Sequence, residues 1–388
     1  MPDYGHDLMF GAMLEPERAA DAVALAVLAE QVGLDAVSLA DHPYWPERLD
    51  TFALLAYIAA RTDRVRVFPN LANLPLRPPA MLARTAATLD VLSDGRFELG
   101  IGSGAQQLWD AIVAEGGPVR DAVESINALD EAVQVIRALW LAGPEVSFTG
   151  RHYRIAGATP GPTPAHDINI WLGAYQSRML GLVGRVADGW VPSSPYLTPE
   201  QLPAANQIID AAAVDAGRSP DAVRRIFNIG GEFNRTGRRF LHGPPALWVE
   251  QLTELTLVHG VSGYILYRVE SGDVIRRFAT RWSRRLRSAV SSERGRRGID
   301  RTSREGRADL SPRLVWLPTV SVGVGRGGGM SGAVLEERLG DRFGHPKVLR
   351  CLVTLRFSLI VMIRTVLPGW VGAGYAGLFG VRCARARL

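Results

Sequence analysis

Lysine is almost missing from this 388-residue chain: Lys347 is the only one, and the only two cysteines, Cys351 and Cys383, share its stretch near the C-terminus. Residues 1 to 294 therefore offer no Schiff-base lysine, no phosphate-loop lysine, no thiol nucleophile and no disulfide. No GxGxxG fingerprint opens the first strand-to-helix crossover, which argues against a Rossmann dinucleotide site. The start, MPDYGHDLMFG, lacks a charged segment followed by a long apolar run, so no secretory signal is expected and the cytoplasm is the default location. His6, His152, His166, His242 and His259 show no metal-ligand spacing; they read as ordinary surface or loop residues, and no metal is expected.

What is present is ordinary for a globular protein, 47% hydrophobic and 21% charged residues, but the charge is unevenly spread. Residues 295 to 388 hold 16 Lys and Arg against 6 Asp and Glu, while residues 1 to 294 hold 28 against 33. The basic excess belongs to the tail, so the main body carries no nucleic-acid footprint. That tail, residues 295 to 388, reads as a basic, Gly/Arg-rich appendage, disordered or weakly packed. Its longest uncharged run, Thr365 to Val381, is only 17 residues with five glycines, too marginal to read as a membrane anchor.

Residues 1 to 294 alternate strands and helices. Apolar runs at Leu8 to Leu14, Ala36 to Ala40, Val65 to Leu71, Phe97 to Ile101, Ile168 to Leu172, Ala187 to Pro192, Arg225 to Ile229 and Ser262 to Tyr267 predict eight strands. Three- and four-residue apolar spacing predicts helices between them, among them Ile126 to Leu141, Gln176 to Val186 and a final one over Asp273 to Val290. The order predicts an α/β fold, a (β/α)8 TIM barrel, with insertions at 105 to 125 after the fourth strand and at 143 to 167, the second holding a hairpin. Ligands of such barrels sit at the carboxyl ends of the strands, where Asp41-His42, Asn70-Leu71, Gly102-Ser103-Gly104 and Gly173-Ala174-Tyr175 fall.

Five segments in order, LADHP (39 to 43), RTAATLDVLSDGRFELGIGSG (84 to 104), LDEAVQVIRALW (129 to 140), IWLGAYQSRML (170 to 180) and RVADGWVPS (185 to 193), resemble the bacterial luciferase-like family of flavin- or deazaflavin-dependent oxidoreductases. The resemblance spans about residues 5 to 290. It implies a TIM barrel binding F420 or FMN at its mouth, a small organic substrate, and hydride transfer or monooxygenation. A homodimer is compatible with it.

Residue by residue, the resemblance makes His42 the catalytic histidine, preceded by Asp41 at the cofactor; the plainer reading is a cap within an Asp-His-Pro turn. It puts Asn70 and Leu71 behind the ring, joined by a non-proline cis peptide; an ordinary strand end is the alternative. Gly102 and Gly104 would admit the ring or ribityl chain, or simply make a tight turn. Gly173, Ala174, Tyr175, Gln176, Ser177 and Arg178 would grip the phosphate where a helix begins, unless Arg178 is only solvated. Asp188 either turns the chain or orients a ligand. Trp140, Trp171 and Trp190 read as packing residues. The rival readings are a barrel hydrolase or aldolase, for which the main body has neither metal cluster nor lysine, and a non-catalytic flavin-binding or membrane-tethered protein.

Overall fold

The computed structural model describes residues 3–15, 19–141, 143–237, 239–279 and 283–296. Its eight principal strands are β1 (Met9–Leu14), β2 (Ala36–Leu39), β3 (Arg66–Pro69, resumed as Ala72–Asn73), β4 (Leu99–Gly102), β5 (Ile170–Leu172), β6 (Gly189–Trp190), β7 (Arg224–Ile229) and β8 (Val261–Val269). Each pairs in parallel with its successor, and β8 pairs with β1. The join between β3 and β4 is made twice: Val67 bridges Phe97, and beyond Asn70-Leu71 the pairing resumes as Ala72 with Ile101. That join closes the ring, as the eight alternating runs predict.

The helices that cover it are α1 (Ala19–Gln31), α2 (Thr51–Ala59), α3 (Pro79–Leu92), α4 (Ala122–Trp140), α5 (Ser177–Val186), α6 (Leu202–Asp215), α7 (Pro245–Leu257), α8 (Gly272–Phe278) and α9 (Arg284–Arg296). Strand residues alternate between two cores because successive side chains point to opposite faces. Phe10, Ala12 and Leu14 of β1 face the helices, while Met9 and Met13 join Phe68, Trp171, Val191, Ile226 and Ile265 inside the barrel. Phe68 and Trp171 meet edge to face there at 4.8 Å, so the lower barrel is filled, not hollow.

Several expectations move. Helix α4 begins at Ala122, four residues before Ile126, because Asp121 and Glu124 form a capping box that supplies the orphan first-turn amides. The final helix expected over Asp273 to Val290 is α-helical over α8 and α9, with Ala279 and Ser283 π-helical between them. The insertion at 105 to 125 is less irregular than expected, containing a short helix, Trp109–Ala114. The hairpin in the second insertion is present, Val146–Thr149 against Arg154–Ala158, its turn anchored by Glu131, which accepts from three consecutive amides, Arg151, His152 and Tyr153. The tail beyond Arg296, with its cysteines and lysine, lies outside the described residues. Among the described residues no helix is long and apolar enough to cross a membrane, and no three His, Cys, Asp or Glu side chains gather as a metal site.

Candidate active site at the barrel mouth

Asp41 is the second residue past β2, and it is buried. Both carboxylate oxygens are engaged: Arg77 donates to them from Nε (2.6 Å) and Nη2 (2.7 Å), and the Asn73 amide donates at 2.8 Å. Arg77 continues to Asp50, the N-cap of α2, at 2.7 Å and stands 4.4 Å over the Phe52 ring. A bidentate guanidinium pair this enclosed fixes the loop after β2 to the end of β3. Asp41, read from sequence as a cofactor contact, is thus tied to the protein.

His42 follows, half-buried. Its Nδ1 lies 2.7 Å from the Tyr44 hydroxyl, and its ring packs on Trp45 at 4.3 Å. Arg48 covers the other end of this stack, 4.8 Å from the Trp45 ring, and pairs with Glu15 at the end of β1; Glu15 also takes Arg268 from β8 at 3.2 Å. Burial, and then the Arg48 charge, push the imidazole below its ordinary 6.5 against the pull of Asp41 and Glu15. The ring is accordingly neutral at pH 7, able to accept a proton.

The peptide between Asn70 and Leu71 is cis. The Asn70 amide lies beneath the mouth, donating to Asn228 Oδ1 at 2.8 Å and to Ser38 at 3.4 Å; Asn228 in turn donates to Ser193 at 3.0 Å. These four polar side chains from β2, β3, β7 and the end of β6 form a layer above the apolar barrel core. Leu71 packs beside β4 and β5. A Cβ on Gly173 would come within 2.5 Å of its Cδ1, so glycine there makes room for Leu71. At Gly102 the same test gives an ordinary 3.5 Å contact with Leu71, whereas Gly104 needs to be glycine, with φ at +88° and Pro75 2.9 Å from any added Cβ.

Ala174 is buried and its carbonyl accepts from Trp190 Nε1 at 3.0 Å, so it braces the wall. The Tyr175 hydroxyl accepts from the Ser193 amide at 3.1 Å, and its ring meets Tyr196 at 5.7 Å. Gln176, the N-cap of α5, makes no side-chain cap, and Gln176, Ser177 and Arg178 are exposed. The first-turn amides of a helix have no intrahelical partner, so this terminus can receive an anion. Arg178 reaches Asn127 of α4 at 3.0 Å.

His42, Asn70, Leu71, Gly102, Gly104 and Gly173 all come to the carboxyl ends of strands. Sequence reasoning missed Tyr44, Ser193 and Asn228; a polar residue in an otherwise apolar strand, as Asn228 is in RIFNI, was the available signal. Asp188 lies at the opposite end, accepting from the Ile170 amide (2.9 Å) and Arg137 (2.8 Å), so it binds chain to chain. Trp171 and Trp190 are buried packing residues. Two histidines are not ordinary surface residues. Burial, then Arg224 and Arg225, push His6 down to about 4, and His166 is held by Asp90 at 2.7 Å.

Residues 7–230 match the family model described as luciferase-like monooxygenase. Among curated proteins, the chain is 31% identical over 234 residues to an F420-dependent glucose-6-phosphate dehydrogenase of Nocardia farcinica, covering 58% of this chain and 68% of that one. Among solved structures, it resembles an F420-dependent secondary alcohol dehydrogenase in complex with an F420-acetone adduct (17% identity, TM-score 0.64, 74% of this chain and 99% of that one). The F420-dependent tetrahydromethanopterin reductase of Methanopyrus kandleri is comparable at 19% identity and TM-score 0.63, covering 72% of this chain and 100% of that one. At these identities the two structures speak for the fold alone.

Proposed function

The chain belongs to the luciferase-like monooxygenase family, oxidoreductases that work with F420 or a flavin, and from that premise we propose that it is an F420-dependent dehydrogenase or reductase of a small alcohol or carbonyl compound. The observation that carries this reading is His42: a neutral imidazole at a strand's carboxyl end, fixed between a tyrosine and a tryptophan.

The residues present suit the cofactor. Leu71, braced from below by the hydrogen-bonded layer of Asn70, Asn228 and Ser193, offers a floor to a planar ring. The uncapped start of α5 with Ser177 and Arg178 suits a phosphate. F420, when bound, supplies a two-electron hydride acceptor or donor. His42 takes the proton from a substrate hydroxyl, or returns it to a carbonyl oxygen. Asp41, through Arg77 and Asn73, holds the loop that carries His42.

The three guanidiniums around His42 and Asp41, Arg48, Arg268 and Arg77, are matched by three carboxylates, Glu15, Asp41 and Asp50, so the cluster as a whole carries no net charge. An uncharged substrate suits that balance better than a sugar phosphate. Titrating the purified protein with F420 and with FMN tests the reading: F420 is expected to bind at micromolar concentration, and failure to bind would sink it. His42→Ala is expected to lower turnover by about 100-fold or more while leaving F420 affinity within a few-fold. Glucose 6-phosphate is expected to be a poor substrate beside uncharged secondary alcohols, by initial-rate comparison.

A further inference from the structure

Strand β8 is regular up to Leu266, with Tyr264 and Leu266 in the outer core and Ile265 in the inner one. Its pairing with β7 ends there, at Ile229. Against β1 the register then slips: Ala12 faces Leu266 but Leu14 faces Val269, so Tyr267 and Arg268 together stand opposite Met13. One extra residue bends a strand and re-aims its side chains, and such bulges gather beside active sites. Arg268 absorbs the bend with φ at +55°, a conformation uncommon for a residue that has a Cβ. Its guanidinium turns to Glu15 at 3.2 Å, while Tyr267 stays on the inner face and packs, as Leu71 does, on the inner core. Asn228 pairs with Ile265, two residues earlier, so Tyr267 stands one inward step above the layer of Asn70 and Asn228, at the mouth.

The phenols of the mouth are not equivalent. Tyr44 meets His42, Tyr175 takes the Ser193 amide, and Tyr196 is 63% exposed. Tyr267 is half-buried, and its hydroxyl has no hydrogen-bond partner among the described residues. The next residue, Arg268, begins a chain of contacts that leads through Glu15 and Arg48 to the Trp45 ring, on which His42 packs. Strands β8 and β2 flank β1, so the strands that carry Tyr267 and lead to His42 are roughly 10 Å apart, a span that a tyrosine side chain and a small molecule fill. Burial, and then Tyr196, push the phenol above its ordinary 10, so it keeps its hydrogen over the working range.

We propose that Tyr267 is a further catalytic residue, its hydroxyl donating a hydrogen bond to the substrate oxygen whose proton His42 exchanges. This deepens the reading of the mouth as an alcohol or carbonyl site and rests on it. In alcohol oxidation the C–H electron pair leaves as hydride to the oxidised deazaflavin, the O–H proton goes to His42, and the O–H electron pair becomes the second bond of the carbonyl. Tyr267 keeps its own hydrogen throughout. Its hydrogen bond strengthens as negative charge builds on the oxygen, so its worth falls on the chemical step.

The test compares full-length wild type with Tyr267→Phe, which keeps the packing ring and removes only the hydroxyl. Initial rates are measured with F420 on 2-propanol, cyclohexanol and 1-phenylethanol, and with reduced F420 on the matching ketones. For the compound that wild type turns over best, kcat/KM is expected to fall about tenfold to a hundredfold in Tyr267→Phe, the loss carried by kcat rather than KM. F420 affinity is expected to stay within a few-fold and the unfolding temperature to stay unchanged, because no bond within the protein is lost. An unchanged rate overturns the proposal; so does a drop of several degrees in unfolding temperature, which would make the hydroxyl a structural group. The failures are kept apart by the wild type: no F420 binding, or no turnover of any of these compounds, defeats the functional reading and this proposal with it, whereas wild-type turnover that survives in Tyr267→Phe defeats only the role of Tyr267.

Discussion

At the scale of single residues, the buried carboxylates are where the molecule is most exposed to change. Asp41 has two guanidinium bonds from Arg77 and one amide, and Arg77→Ala leaves it enclosed with the amide alone. Removing one partner of such a pair costs about 3 kcal/mol, so thermal unfolding is expected to drop by several degrees, with Arg77→Lys recovering only part, since an ammonium cannot make the bidentate fork. At the other end of the barrel His166 gives a pH dependence. Glu98 foremost, 3.6 Å from Nε2, and Asp90 hold its imidazolium above the ordinary 6.5 against the cost of burial. A folded pKa above the unfolded one stabilises fully below the unfolded value and is lost as pH rises through the folded value. The unfolding temperature is expected to fall as pH rises from about 6.5 through the raised folded value, and the fall to shrink in His166→Gln. Of these residues, the sequence identified Asp41 and His42 as site candidates by position, but Arg77 and Tyr44 carried no pattern. Which side chain an arginine grips depends on where its loop is folded, and loops have no periodicity to read.

At the scale of elements, helix α4 shows how local chemistry overrides an apolar count. Periodicity starts it at Ile126, but the Asp121 side chain accepts from the Glu124 amide and Glu124 returns to the Asp121 amide, adding a turn. Asp121→Ala is expected to destabilise the protein by about 1 kcal/mol in a denaturant titration. Strand β4 makes the opposite point. A Cβ on Gly100 would stand 2.2 Å from the Pro69 carbonyl oxygen, which is backbone and cannot swing aside. Gly100→Ala is therefore expected to split the β3–β4 join that closes the ring, seen as loss of near-ultraviolet circular dichroism and of soluble yield. The sequence showed glycine there, but its need became visible only once β3 lay alongside.

For the whole molecule, the barrel's last described helix is tied to its first residues. Arg294 of α9 binds Asp3 at 2.5 and 2.8 Å and the His6 carbonyl at 2.9 Å. A chain ending after Arg296 keeps these bonds and is expected to bind F420 as the full-length protein does, by the same titration; a large loss of affinity would mean the remaining residues help build the site. By itself the sequence determined the eight alternating units, the barrel they imply and the strand ends at which His42, Asn70-Leu71 and Gly173 fall, because hydrophobic period and turn residues are local properties. Tertiary structure alone decided the partners: Asn70 with Asn228 across 158 positions, Asp41 with Arg77, and Asp41 with the Asn73 amide. Period tells which face of a strand looks inward, whereas the side chain opposite is set by how eight strands of different length close into one ring.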